Sequence, residues 1–293
     1  MTRRGWLLFI ALGIIWGLPY LLIKVGVAEL SPVVVVFLRV ASAAVILVPI
    51  AAMRGQFAGL RGLWKWVALF AVMEIMIPFF TLTWAEQRIS SSLAALLVAA
   101  VPMVAAVTAW RLGIDDRLTG IRVAGLVIGL VGVGFLIGLD LGTGDVLSIL
   151  AVGVTIVGYA TAPLVIARKL QAAPSMAVIA AALTINAVVY APFAWFSRPM
   201  QPVSPHVWLS LLALGVVCTA LAFIVFFALI AEAGPSRSTL ITYVNPAVAL
   251  LLGVVILHEA LTAGLIIGFP LVLLGSYLAT RRSPLPEESE PHM

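Results

Sequence analysis

Residues 70–84 read FAVMEIMIPFFTLTW, and the reading of that stretch turns on Glu74. The apolar run around it extends over residues 63–85. Glu74 therefore stands roughly 11 residues from either end, about 16 Å at the helical rise. A run of about 20 apolar residues is long enough to cross the hydrocarbon core of a bilayer. A carboxylate near the midplane of such a span costs on the order of 3 kcal/mol or more, so it needs a use.

The rest of the chain has the same character. Of 293 residues, 63% are hydrophobic and 10% are charged, with a mean hydropathy of +1.19. A soluble domain of this size coats itself with about 25% charged residues, which this chain does not have. Runs of membrane-spanning length recur and strand-like alternation is missing, so the fold class is an all-α integral membrane protein. The single cysteine, Cys218, excludes an internal disulfide and a cysteine-based metal site. The first run follows Arg3 and Arg4 as a signal peptide would. It is longer than an h-region, lacks an A-x-A site and carries Trp16, Pro19 and Lys24, which makes it a retained span.

Breaks at charged or Pro/Gly-rich stretches give ten spans: 6–27, 32–53, 63–85, 90–111, 120–139, 145–169, 175–197, 206–231, 236–257 and 261–281. The connections are short and no Walker-type glycine loop is present, which argues against a nucleotide-driven machine. Nothing in the pattern points to nucleic acid or to a cofactor. On the side of the N-terminus, alternate loops hold Arg3, Arg4, Arg54, Arg61, Lys65, Arg111, Arg117, Arg122, Arg168, Lys169, Arg237, Arg281 and Arg282. The other side holds Lys24, Arg88 and Arg198. That bias predicts a multi-pass protein with both termini cytoplasmic. The polar, acidic end, residues 283–293, reads as a disordered cytoplasmic tail.

The chain also repeats itself. At an offset of 144, Pro163 falls on Pro19, Arg168 on Lys24, Ser175 on Ser31, Trp208 on Trp64, Phe223 on Phe79, Pro246 on Pro102 and Glu259 on Asp115. Apolar coincidences mean little in such a composition, whereas proline, tryptophan and charge are scarce. The units are residues 1–144 and 145–282, five spans each. An odd number of spans forces the second copy to enter the membrane from the opposite side. Two inverted five-helix repeats around a central cavity is an architecture of secondary transporters, with the substrate held near midplane between the halves.

These features carry a family resemblance. IIWGLPYLLIKVG at 14–26 contains W-G followed by a lysine, Arg39 sits in SPVVVVFLRVASA, and a central proline runs to an acidic residue and a threonine in both LVAAVPMVAAV…IDDRLT and YVNPAVALLLGVVILHEALT. The chain resembles, over residues 5–281, the EamA-like ten-helix branch of the drug/metabolite transporter superfamily. It departs at Asp115-Asp116, where a single Glu is usual, and at Ala160-Thr161, where the second copy lacks Trp-Gly. The resemblance implies a ten-helix basket around a cavity and export of metabolites, often amino acids, or of drugs. It does not imply an enzyme.

The candidate substrate-contacting residues are Trp16, Glu74, Phe79, Tyr159, Phe223, Tyr243 and Asn245. Glu74 is read either as a proton carrier or counter-charge to a substrate ammonium, or as a structural carboxylate paired with Arg39 or bonded between helices. Its counterpart at the same offset is Cys218, so the symmetric scaffold does not demand the charge. Arg39 is read as gating or structural, as are Pro19, Pro78, Pro102, Pro163 and Pro246, which interrupt their helices. Tyr20 and Lys24 read as interface anchors, and Asn186 as an interhelical hydrogen bond. Gly125, Gly132, Gly138, Gly264 and Gly268 offer small faces for packing spans five and ten together, or for a homodimer. Asp115, Asp116 and Glu259 read as caps of the helices that follow them. No metal set is formed by His206 or His258. The reading is a secondary exporter of small metabolites, amino acids or related amphipathic compounds, working by alternating access as monomer or homodimer. Alternatives are proton-coupled multidrug efflux and a gradient-driven facilitator. The partners are the small-molecule substrate, the lipid bilayer and, for a coupled exporter, protons.

Overall fold

The computed structural model describes residues 1–113, 119–140 and 145–280. The caps expected of Asp115 and Asp116, and the tail at 283–293, lie outside them. Ten helices follow one another: α1 (Arg3–Val27), α2 (Pro32–Met53), α3 (Trp64–Ala85), α4 (Ser91–Arg111), α5 (Gly120–Asp140), α6 (Val146–Lys169), α7 (Ser175–Phe196), α8 (Pro205–Ala233), α9 (Leu240–Ile256) and α10 (Ala263–Thr280). Among the described residues, nine are long and apolar enough to cross a membrane, and α9 is a shorter apolar helix. Large apolar side chains such as Leu130, Val188, Phe193 and Leu209 point outward, as lipid rather than water requires.

The main helix pairings are two-fold. Helix α2 packs on α7, α4 on α9 and α5 on α10; α1 packs on α8 and α9 as α6 packs on α3 and α4. Each contact keeps its form when the first five helices are exchanged for the last five. Glycine sets the direction of the α5–α10 pair. A Cβ on Gly125 would lie 2.5 Å from the Ala279 amide nitrogen, and one on Gly132 would lie 2.8 Å from that of Val272. A Cβ on Gly275 would overlap the Gly129 backbone, and one on Gly268 would lie 2.6 Å from Leu136 Cγ. The partners descend in number along α10 as they ascend along α5, so the two equivalent helices run antiparallel and the repeat is inverted. Gly125, Gly132 and Gly268 thus pack between α5 and α10 as expected, while a Cβ on Gly138 would meet nothing within 4 Å.

Two irregular turns repeat as well. Helix α3 widens into a π turn over Ala71–Met76 and α8 over Val216–Leu221. In α3 the cause is local: Pro78 has no N–H to offer the Glu74 carbonyl, and its ring crowds the turn before it. In α8 no proline follows, and Thr219 Oγ1 donates to the Leu214 carbonyl at 2.9 Å instead. The two turns are 145 residues apart, so Thr219 rather than Cys218 is the structural counterpart of Glu74. Prolines 102 and 246 do not bend continuous helices. Each opens the second segment of a broken one, Val101–Arg111 in α4 and Asn245–Ile256 in α9. Pro19 and Pro163 stay inside unbroken helices.

Replacing Gly275 with Leu should lower stability by about 1–3 kcal/mol, because the Gly129 backbone cannot retreat from its side chain. Thermal unfolding in detergent reads this out; an unchanged melting temperature would mean that α5 and α10 are not packed at this register.

Candidate functional site

Arg39 lies in the second turn of α2 and is 6% exposed. Its Nε donates to Thr219 Oγ1 at 3.1 Å, and its guanidinium carbon stands 3.7 Å from the centre of the Phe79 ring. It forms no ion pair with Glu74, which corrects one of the two readings of that residue. Arg39 is held by a hydroxyl from the widened turn of α8 and by an aromatic face from α3. Cation–π contact of a desolvated guanidinium is worth about 2 kcal/mol. Phe79, in turn, lies beneath Arg39 and is 5% exposed, so it supports the arginine rather than lining an open face.

Glu74 sits on the widened turn of α3, half-buried, with no hydrogen bond or ion pair to any described residue. The neighbouring donors are spent without it, and Asn186 Oδ1 is buried without a partner among the described residues. Asn186 Nδ2 donates to the Ala71 carbonyl at 3.1 Å and to Ala182 at 2.8 Å; the Tyr190 hydroxyl donates to the Met76 carbonyl at 2.7 Å. Carbonyls loosened at the π turn are thus met by α7, as expected for Asn186 and unforeseen for Tyr190. The mirror contact is present: Ser42 and the Arg39 carbonyl crowd Gly215 as Asn186 meets Ala71. On the α6 side, Thr155 and Thr81 share a hydrogen bond at 2.7 Å, and Thr155 reaches the Pro78 carbonyl at 3.3 Å. Gly158 lets α6 close on this bend, since a Cβ there would lie 2.6 Å from the Met73 carbonyl oxygen.

Aromatic side chains complete the centre. Trp16 of α1 meets Phe223 edge-on at 6.2 Å and Phe226 at 5.0 Å; Phe223 stacks with Phe227 at 6.2 Å. Tyr159, Phe223, Phe80 and Met73 pack on one buried cluster, and Tyr159 is within electrostatic reach of both Glu74 and Arg39. Asn245 lies against α1, its carbonyl beside Gly17, and its Oδ1 is buried without a partner. Trp16, Glu74, Tyr159, Phe223 and Asn245 therefore belong to the helices around the middle of the bundle. Tyr243 does not join them. Its hydroxyl bonds Thr280 Oγ1 at 3.0 Å, at the end of α10, near the termini.

The end of the bundle far from the termini is clasped by three polar contacts. Lys24 Nζ donates to the Glu86 and Ile89 carbonyls at 2.7 and 2.8 Å. It is an internal tie, not an interface anchor, and Tyr20 one turn earlier is buried. The Glu259 carboxylate accepts from the Ser91 and Ser92 amides at 2.7 and 2.9 Å and from Ser92 Oγ at 2.5 Å. It caps α4 of the other half, not α10, where Thr262 Oγ1 accepts from the Leu265 amide. Glu29 accepts from the Ser204 amide at 2.7 Å and faces His206 at 3.9 Å. Hydrogen bonds from Ser204, side chain then amide, hold the Glu29 carboxyl below its ordinary value. Glu86, which the linear reading passed over, is fully buried here. Two signals could have flagged it: the short turn between α3 and α4, and Lys24 arriving at the same end.

With this geometry in view, the comparisons with known proteins converge. The model of the EamA-like transporter family matches twice, over residues 3–138 and 146–281, and the chain belongs to that family. Relatives named uncharacterized inner membrane transporter YedA, from Escherichia coli (strain K12) and Escherichia coli O157:H7, are each 32% identical to it over 125 residues. That stretch is 42% of this chain and 40% of each relative, so the matched part spans well under half of their length. A solved crystal structure at 21% identity, covering 96% of this chain and 97% of its own, superposes with a TM-score of 0.66 and has the same fold.

Arg39→Gln should destabilise the protein by about 2 kcal/mol through its lost donor and cation–π contacts, while Glu74→Gln should be neutral or stabilising, since it removes an unpaired carboxylate. Thermal unfolding of both variants in detergent checks the contrast; equal losses would mean that Glu74 is structural. Glu29→Gln should be less stable than wild type near neutral pH. A carboxyl held below its ordinary value contributes above the unfolded value and loses that contribution as pH falls through the folded one. The gap between the two proteins should therefore close in acid, below the ordinary value of 4.5.

Proposed function

We propose that the protein is a secondary exporter that carries small amine-bearing amphipathic metabolites, amino acids or related compounds, across the inner membrane by alternating access. Both termini lie in the cytoplasm in this reading, as the thirteen-to-three distribution of Lys and Arg supports. The observation that carries the proposal is the Glu74 carboxylate on a widened turn, unpaired among the described residues and within electrostatic reach of Tyr159, in a bundle of two inverted halves whose centre also holds the Trp16–Phe223 aromatics. An unpaired carboxylate at this depth answers either a proton or a substrate ammonium, and aromatic faces take the apolar body and favour a cation. Arg39 is occupied by Thr219 and Phe79, which leaves the negative charge as the recognising one. The relatives' name as inner membrane transporters supports the location.

The same features support a second reading, proton-coupled efflux of cationic amphipathic drugs, in which Phe223, Phe226 and Phe227 provide the apolar wall. Counterflow in proteoliposomes separates the two. A panel of amino acids, amines and cationic drugs is offered with and without a pH gradient, to wild type and Glu74→Gln. Amines and amino acids should exchange in wild type, and Glu74→Gln should lose both rate and pH dependence. Normal exchange by the variant, with wild-type pH dependence, would remove Glu74 from the mechanism; exchange of drugs alone would select the second reading.

A further inference from the structure

Glu86 follows the last turn of α3, is 0% exposed, and has no hydrogen-bond partner among the described residues at either carboxylate oxygen. The charged and titratable groups within electrostatic reach of it come from several elements: Tyr20 and Lys24 from α1, Arg39 from α2, Tyr159 from α6 and Glu259 from the turn between α9 and α10. None relieves it. Lys24 spends its ammonium on the Glu86 and Ile89 backbone carbonyls and makes no ion pair with the carboxylate. Glu259 is negative and committed to the Ser91 and Ser92 amides. Ser91 Oγ, five residues on, is likewise buried without a partner.

An ionised carboxylate in such a place is strongly unfavourable, so this packing suits the protonated acid. Ionisation needs either a cation or water at the oxygens, and both routes undo the same contact. Lys24 reaches the carboxylate only by leaving the two carbonyls, and water enters only if α1 parts from the turn between α3 and α4. We propose that Glu86 is a proton-binding site that latches the far end of the bundle: neutral Glu86 leaves Lys24 on the carbonyls and the end closed, and loss of the proton to water frees Lys24 and opens it. The purpose of the latch rests on the transporter reading, whereas its chemistry does not.

The test uses full-length protein in liposomes, with Cys218→Ala and a reporter cysteine at Leu30, which packs with Tyr20, Ala85 and Ile89 in one buried cluster. A membrane-impermeant maleimide is added, and its rate is divided by that of the unfolded protein at each pH to remove the thiol's own titration. The relative rate should rise about tenfold from about pH 6 to about pH 9, as a one-proton population shift allows. It should stay low at every pH in Glu86→Gln, and rise as in the parent in Glu74→Gln. Lys24→Gln, which lacks the latch donor, should react fast throughout; it serves if Glu86→Gln does not fold. A flat parent, or a parental rise in Glu86→Gln or Lys24→Gln, overturns the proposal. So does a rate that follows sodium when it replaces choline at fixed pH. Labelling needs no turnover, so a failed counterflow with an intact labelling profile strikes the transport reading and leaves the latch standing.

Discussion

Inside a bilayer no water repairs a broken helix hydrogen bond, so each loosened backbone group must be met by another side chain of the same protein. That constraint organises the molecule. The widened turn of α3 is met by Asn186 and Tyr190 of α7, and the widened turn of α8 closes on itself through Thr219 and on α2 through Arg39. Every one of these partners except Thr219's own carbonyl bond reaches across to the other half. The irregular backbone at midplane is therefore what binds the halves together, as well as what gives Glu74 its place.

The two charges at this depth are treated unequally. Arg39 is wrapped by Thr219 and Phe79 and is part of the scaffold, while Glu74 is left without a partner among the described residues. A symmetric scaffold has positions 74 and 219 in equivalent turns, and the chain has filled one with an acid and the other with an alcohol. The alcohol serves the fold by holding the arginine. The acid serves no contact in the resting arrangement, and the difference between these two side chains is where shared architecture gives way to individual chemistry.

Much of this was legible in the linear chain. Apolar runs gave the ten spans, scarce residues such as Pro102 and Pro246 gave the repeat, and its odd number of spans gave the inversion that Gly125 to Gly132 make visible against α10. The remainder depended on neighbours in space. The π turn of α8 has no proline to betray it, so Cys218 looked like the partner of Glu74 when Thr219 is. Tyr243, Lys24 and Glu259 have ordinary helix-end surroundings in sequence, and their partners Thr280, Glu86 and Ser91 lie far away along the chain. Glu86 drew no reading because nothing local shows that α1 covers it.

The cap that Glu259 places on α4 has a consequence for how the protein is made. The amides it satisfies belong to a helix that begins 168 residues earlier. At synthesis rates of about 5–20 residues per second, α4 waits roughly 8 to 34 s before that carboxylate is even polymerised. During that interval the start of the helix must be supported by water, by lipid headgroups or by the insertion machinery. The first five helices are thus an unfinished intermediate of biogenesis, and the last loop of the chain closes a joint that its first half left open.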